Sequence, residues 1–406
     1  MAKTWYKIVW RHTMKPLLNI VTLRRIRKRL KFFKIQNQVH EIEKDFPDNT
    51  VLIFQHQFFD VAGNQCFNGG AERYVKDLSD ILSNANLVPI LIQMSDSKLW
   101  YKKIGNMQVI GIPAKEGIEY SYAISCFSKY KFVIYSGAAL WGKKIHPNIL
   151  ISHGITWDTP YMDVKIDDIL SIFNDVDKFV SVDTNTISWI RSTFSKTLKD
   201  FDANYIPNYV DTKTYHPTKR KNDSKIHITF PRRASPERGY WLMSAALPPI
   251  LDKYPDVVFQ FVGFAHGRDI QNDILQLEKK YPNRVSHCMV EPDEMVKIYQ
   301  NTDISLIPTI YCEGTSLSCL EAQACGNVVI STNIGGLPDL VIDGFNGLLI
   351  NPTGQDLMKA LDKVLADADL REKLSKNAVN IAAVFDKQKW IDKWKKIIYT
   401  VIDEGC

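Results

Sequence analysis

"VLIFQHQFF" (51–59), "NGGAERYVKDLSDIL" (68–82) and "LVPILIQM" (87–94) together decide the fold of this chain. The outer two are apolar and aromatic runs of strand length, the kind buried on both faces of a sheet. Between them a glycine turn opens an amphipathic helix. The same order of strand, loop and helix returns through "KFVIYSG" (131–137), "NILISHG" (148–154) and "KFVSVD" (178–183). Strands alternating with helices in this way run parallel, crossed over by those helices.

Residues 206–225, "IPNYVDTKTYHPTKRKNDSK", hold two prolines and a polar, charged run, and read as a linker. Beyond them "IHITFPRR", "VVFQFVG", "VSHCMV", "DISLIPT" and "NVVISTN" are five further strands separated by helices. At 406 residues the chain exceeds what one hydrophobic core usually serves, so two domains are expected. The expected fold is α/β, with two Rossmann-like, doubly wound domains facing across a cleft where the carboxyl ends of both sheets bind ligands. Its parts are an arm over 1–45, a first domain over 46–205, the linker over 206–225, a second domain over 226–385 and a last helix over 386–406. That helix, "DKQKWIDKWKKIIYTVI", is amphipathic through Trp390, Trp394, Ile397, Ile398 and Val401. It is expected to cross back to the first domain, although periodicity equally allows packing on the second.

The composition, 45% hydrophobic and 24% charged, is that of an ordinary soluble globular protein. Basicity is concentrated in the arm: the first 34 residues carry eleven Lys or Arg and no acid, so a total of +6 leaves about −5 for the rest. Trp5, Trp10, Leu17, Leu18, Leu30, Phe32 and Phe33 interleave with these cations, a pattern suited to an anionic membrane surface. No window approaches the roughly 18 uninterrupted apolar residues of a bilayer span, and a signal peptide fits poorly because the apolar stretches are short and lack a small-residue cleavage site. Residues 1–40 are therefore expected to touch a membrane, with the protein cytoplasmic and peripheral at the inner face. Nucleic acid is the rival partner for the cluster at 24–31, and a basic helix packed on its own protein is the third reading. Seven cysteines form no C-x-x-C pair and leave one unpaired, as expected of reduced cytoplasmic thiols. The spacing of Cys312, Cys319 and Cys325 matches no zinc pattern.

"YCEGTSLSCLEAQACG" (311–326) places Glu313 and Glu321 on either side of a Gly-Thr-Ser run. A helix beginning near Thr315 or Ser316 leaves Glu313 in the loop and puts Glu321 about 9 Å down the axis, at roughly 1.5 Å per residue. First-turn amides lack helical partners and favour a phosphate. Carboxylates repel that anion, so each suits hydroxyl groups flanking a diphosphate. A first-turn acid plus a surface acid is the competing reading. "PRRASPERG" (231–239) adds Arg232, Arg233 and Arg238 at a strand-to-helix turn, where guanidinium groups match phosphate oxygens. The reading as a solvated loop cation fits Arg232 better than Arg233 or Arg238.

These motifs resemble a known family. "RASPERG" is similar to an R-x4-(K/R)-G signature, "EGTSLSCLE" to an E-x7-E signature and "IPNYVD" to the domain-joining "IPNGVD" of retaining GT-B glycosyltransferases, family four, the group 1 glycosyltransferases. "NGGAERYV" resembles that family's first glycine loop, and "STNIGGLPDLVIDGFNGLLINP" (331–352) its "GGxPExVxDGxxGxLxxP" stretch. The resemblance runs from 51 to about 385. Departures are Asn327 and Val328 after "EAQACG", Asp339 in place of glutamate and Tyr209 in place of glycine.

The resemblance implies an acceptor domain first and a nucleotide-sugar donor domain second. Arg233 and Arg238 would bind the donor diphosphate and Glu313 hydroxyls of the transferred sugar. Gly314 and the amides at Thr315, Ser316 and Leu317 would hold phosphate or sugar, and Glu321 the ribose. Gly69 and Gly70 would allow close approach to donor and acceptor, and His153 would lie near the anomeric carbon, a core or loop histidine being the alternative. Phe67, Trp157 and Tyr161 suit an acceptor sugar ring.

The implied activity is that of a hexosyltransferase, moving a sugar from a UDP- or GDP-sugar to a glycan or lipid-linked acceptor in cell-surface polysaccharide synthesis, with retention. No cofactor is required and no metal is expected, because fixed cations meet the developing charge. The acid pair of "DVD" (175–177) reads as a solvated turn. The alternatives are a GT-B nucleotide-sugar epimerase and a nucleotide-sensing protein with a nucleic-acid-binding arm.

Overall fold

The computed structural model describes residues 15–67, 69–96, 98–114, 117–137, 143–159, 162–163, 165–197, 201–218 and 224–403, without the side chains of 15–25, 27–28 and 158–163. Two compact units divide the chain. One takes residues up to 67, 82–135 and 140–148; the other takes 68–81, 136–139 and 149 onward.

In the first unit, strands β1 (Thr50–Phe54), β2 (Val88–Ser95), β3 (Trp100–Ile104), β4 (Met107–Pro113) and β5 (Phe132–Ser136) lie in the order β5-β1-β2-β4-β3. All neighbours are parallel except the β3–β4 hairpin. Every residue of β1 is buried, as its unbroken apolar run requires. The run "VLIFQHQFF" is expected to be one strand, yet the strand stops at Phe54. The reason is Gln93 of β2, buried and aimed at the loop: its Oε1 accepts from the amides of Phe58 at 2.9 Å and Phe59 at 2.7 Å, replacing a ladder there.

The arm is helical over Lys15–Glu43. Ile35, Val39 and Ile42, four and three residues apart, are buried, and Phe32 packs on Tyr122 with ring centroids 4.6 Å apart. Its last turns are thus docked on their own protein. Ile26, Leu30 and Phe33 are exposed. Expectations resting on residues 1–14 and on the side chains of 15–25, 27 and 28 lie outside the described residues. Among the described residues no helix is long and apolar enough to cross a membrane.

In the second unit, β6 (Asn148–Ser152), β7 (Lys178–Ser181) and β8 (Ala203–Tyr205) are parallel neighbours in that order. A six-stranded parallel sheet follows, made of β9 (Ile226–Phe230), β10 (Val257–Val262), β11 (Val285–Cys288), β12 (Ile304–Ile307), β13 (Val328–Thr332) and β14 (Gly347–Ile350). Its order is β11-β10-β9-β12-β13-β14. Counted along the chain this is the 3-2-1-4-5-6 order of a dinucleotide-type Rossmann sheet, whose ligand crevice opens where the order reverses, here between β9 and β12. The five strands read from the sequence are present. The sixth, β14, is short and lies inside the glycine-rich stretch.

The junction at 206–218 is tied to the end of the chain. The amide of Val210 donates to Phe385 O at 3.0 Å, and that of Lys387 to Val210 O at 2.9 Å. The last helix, Lys387–Asp403, buries Trp390 and Trp394, and Trp394 Nε1 donates to the Tyr74 hydroxyl at 2.8 Å.

Candidate active site

The loops after β9 and β12 meet at the reversal point of the six-stranded sheet. After Phe230 the chain turns into the short 3-10 segment Pro236–Arg238, closed by Gly239 at φ +78°. A Cβ at Gly239 would sit 1.7 Å from the Pro308 carbonyl oxygen, so only glycine permits this approach. Beside it the amide of Ile310 donates to Glu237 O at 3.1 Å. Joined in this way, the first loop turns its arginines onto the second.

Glu313 is where they converge. Its Oε2 accepts from Arg232 Nη2 at 2.9 Å, from Thr309 Oγ1 at 3.0 Å and from Arg238 Nη1. Burial by itself would raise the Glu313 carboxyl, but the charges of Arg232 and then Arg238 overcome it and hold the group below its ordinary range. Burial lowers the Arg232 guanidinium, against the pull of Glu313. Arg233 is exposed. The two adjacent arginines have exchanged the places their sequence reading assigns: Arg232 is enclosed, not a solvated cation, because the turn that seats Ala234 in the core points the two side chains to opposite sides.

The following residues form a tight floor. A Cβ on Gly314 would meet His153 O at 2.9 Å, and the Gly336 amide donates to Glu313 O at 2.9 Å. Thr315 Oγ1 donates to Val182 O at 2.7 Å and accepts from the Asn208 amide at 2.8 Å, so this hydroxyl is structural. The helix Leu317–Ala324 follows Ser316 at its N-cap position and starts two residues past the earliest start read from the sequence, and Gly70 lies against Leu317. Gly69 sits beside the Glu72 carboxylate.

Glu321 is 4% exposed, which removes the reading of a surface acid. Arg73 Nη1 donates to its Oε1 at 2.7 Å. The His153 imidazole packs edge-on to Tyr74, 5.2 Å between centroids, with Nε2 3.2 Å from Ser136 Oγ. Desolvation pushes its pKa down to about 4, so the ring is neutral at pH 7. Trp157, expected to face an acceptor, is instead buried against Phe173 and Trp189, where its indole fills the core. Phe67 is 38% exposed, and Tyr161 lies outside the described residues.

Three participants escaped sequence reading as partners: Arg73, Thr309 and Asp183. Arg73 stood inside the quoted glycine loop, but nothing local pointed it at Glu321. Asp183 lies two residues past the end of β7; its Oδ1 accepts from the Thr186 amide at 2.6 Å and its buried Oδ2 has no hydrogen-bond partner among the described residues. Asp175 and Asp177 lie between the helix Ile166–Asn174 and β7. Among the described residues no three His, Cys, Asp or Glu side chains gather as a metal site.

Residues 211–380 match the family model of glycosyl transferases group 1. Over that segment the chain is similar to the group 1 glycosyl transferases. The segment contains the Arg232–Arg238 turn, the Glu313 loop and Glu321, and the family is one of glycosyltransferase enzymes. The D-inositol 3-phosphate glycosyltransferase of Corynebacterium jeikeium is 32% identical over 169 residues, covering 40% of each chain. The chain spans about half the length of three of the curated relatives it matches, between 40% and 54%, and less of others. Sucrose-phosphate synthase from Thermosynechococcus elongatus superposes with a TM-score of 0.71 over 88% of this chain and all of its own, at 17% identity. HepE of Anabaena, solved with UDP-glucose, gives 0.65 over 86% and 99% at 15% identity. These likenesses carry the fold: α/β, GT-B, with Rossmann-like parallel sheets.

Proposed function

We propose that the chain is a retaining glycosyltransferase of the family-four type, moving a hexose from a UDP- or GDP-sugar to a hydroxyl of a glycan or lipid-linked acceptor. Cell-surface polysaccharide synthesis is the process this suits. The donor would lie on 226–385 and the acceptor on 46–205, joined by 206–225. The observation that carries the reading is the convergence of Arg232 and Arg238 on Glu313 at the reversal point of a Rossmann sheet. A crevice there takes a nucleotide.

In the reaction the bond from the anomeric carbon to the diphosphate oxygen breaks, and its electron pair leaves with the diphosphate. Arg233, Arg238 and the amides at Leu317 supply positive charge where that negative charge grows. Glu313 accepts a bond from a sugar hydroxyl. Neutral His153 lies near the anomeric carbon without adding a charge beside the forming oxocarbenium character. The acceptor oxygen bonds to the anomeric carbon on the face the diphosphate leaves, and its proton passes to a departing phosphate oxygen.

The test is a panel of nucleotide sugars offered to the purified chain, by thermal shift and then by turnover, with the anomeric configuration of the product read by NMR. One donor should raise the melting temperature and yield a product of unchanged configuration. An inverted product rejects retention, and no response to any nucleotide sugar rejects the reading.

The arm is proposed to rest on an anionic membrane surface. In support, Ile26, Leu30 and Phe33 are 47%, 63% and 61% exposed at helical spacing beside exposed Arg29 and Lys34. Full-length chain should sediment with anionic vesicles and a version lacking residues 1–40 should not. Equal pelleting rejects it.

A further inference from the structure

Glu313 is held by one oxygen. Arg232, Arg238 and Thr309 all bond to Oε2, and Oε1 accepts nothing among the described residues. A carboxylate pinned in this way has its direction set and half its accepting capacity open.

The two arginines that pin it are not equivalent. Arg232 is the more enclosed, its side chain 9% exposed against 28% for Arg238. Its Nη1 donates to Thr309 Oγ1 at 2.5 Å while Thr309 bonds Glu313 in turn, so three side chains close a ring. Arg238 contributes one Nη1 bond from a short turn and makes no second side-chain hydrogen bond among the described residues. The Nε of Arg232 is buried without an acceptor among the described residues, a cost that structure alone leaves to be explained.

We propose that Arg232 is a positioning residue, which holds Glu313 by Oε2 so that Oε1 meets a hydroxyl of the transferred sugar, and leaves the diphosphate to Arg238 and the exposed Arg233. This rests on the reading under Proposed function. A diphosphate arriving beside Glu313 draws Arg238 towards itself and would strip the carboxylate of its only countercharge if Arg232 were absent. With Arg232 enclosed, the carboxylate stays ionised, oriented and separated from the incoming anion by fixed positive charge.

The experiment compares calorimetric binding of UDP and GDP alone with binding and turnover of the matching nucleotide sugar, for the full chain and for Arg232→Lys, Thr309→Val and Arg238→Ala. Arg232→Lys keeps a cation but loses the two-armed bond to Thr309 and Glu313. It should leave nucleoside diphosphate affinity within about twofold and lower kcat on the nucleotide sugar by about tenfold or more. Thr309→Val, which keeps every charge, should act in the same sense by about threefold, and decides the matter if Arg232→Lys does not fold. Arg238→Ala should weaken the nucleoside diphosphate itself. Equal loss for nucleoside diphosphate and nucleotide sugar in Arg232→Lys or Thr309→Val makes Arg232 a phosphate ligand and overturns the proposal. So does no loss in either. If the unaltered chain binds no nucleotide sugar, the function reading falls and this proposal with it; normal turnover with either failure pattern overturns this proposal alone.

Discussion

Arg73 donates to Glu321 Oε1 at 2.7 Å across 248 residues of sequence. The pair ties the first turn of the helix Gly70–Asn84 to the helix Leu317–Ala324, where Gly70 already touches Leu317. The carboxylate is 5% exposed and the guanidinium 37%. A ribose reaching Glu321 would share it with Arg73.

Removing the cation should cost stability. Arg73→Ala leaves Glu321 buried without its countercharge, and breaking one side of such a pair costs more than the pair contributes. A loss of about 1–2 kcal/mol is expected in urea denaturation, at the low end for a buried pair because Arg73 is partly solvated. Glu321→Gln in the same chain should recover part of it. An unchanged midpoint in Arg73→Ala would show that solvent already screens the carboxylate.

Arg238→Ala should lower kcat by about a hundredfold or more, since it removes a donor aimed at developing charge. The fold should hold, because Glu313 keeps Arg232 and Thr309. Turnover of the unaltered chain should persist in chelator. Complete loss restored by manganese contradicts the assignment of charge neutralisation to these arginines.

His153 makes stability depend on pH. Burial holds its imidazole at about 4 against an ordinary 6.5. Between those values the unfolded chain binds a proton that the folded chain does not, so stability falls as pH drops through that window, by at most about 3 kcal/mol. Between pH 7.5 and pH 5 urea denaturation should show a less favourable change for the native chain than for His153→Gln, the difference being the His153 share. Equal changes would assign the slope to other groups.

Asp183 works in the opposite direction. Burial first, and then the Asp339 charge, push its carboxyl up to about 6 from an ordinary 3.8, against the Thr186 bonds. The folded chain keeps a proton there that the unfolded chain has lost, so stability falls as pH rises from about 3.8 to about 6. Asp183→Asn keeps an oxygen for the Thr186 amide and removes the ionisation. It should gain about 1–3 kcal/mol at pH 7.5 and nothing at pH 4. A gain of equal size at both pH values would assign it to packing. The two slopes overlap between pH 4 and 6, so they are separable only in the single variants.

Most strands were legible because both faces are covered, which demands continuous apolar runs such as Val51, Leu52 and Ile53. The edge strand Trp100–Ile104 was not, since its three middle residues face solvent and read as polar. The two glutamates were legible through spacing around a small-residue run. Their partners were not. Which of Arg232 and Arg233 turns inward depends on a turn seated against Pro308 by Gly239, and Trp157 looks like any exposed loop aromatic until its contacts with Phe173 and Trp189 are known.

By itself the sequence determined the repeating strand and helix order, the turn that carries three arginines and the loop that carries Glu313, because hydrophobic period and turn residues act over a few neighbours. Only the tertiary structure decided that Arg232 faces Glu313, that Arg73 occupies Glu321 and that His153 is neutral. Those outcomes come from burial and from charges brought together across the chain, and no local pattern encodes them.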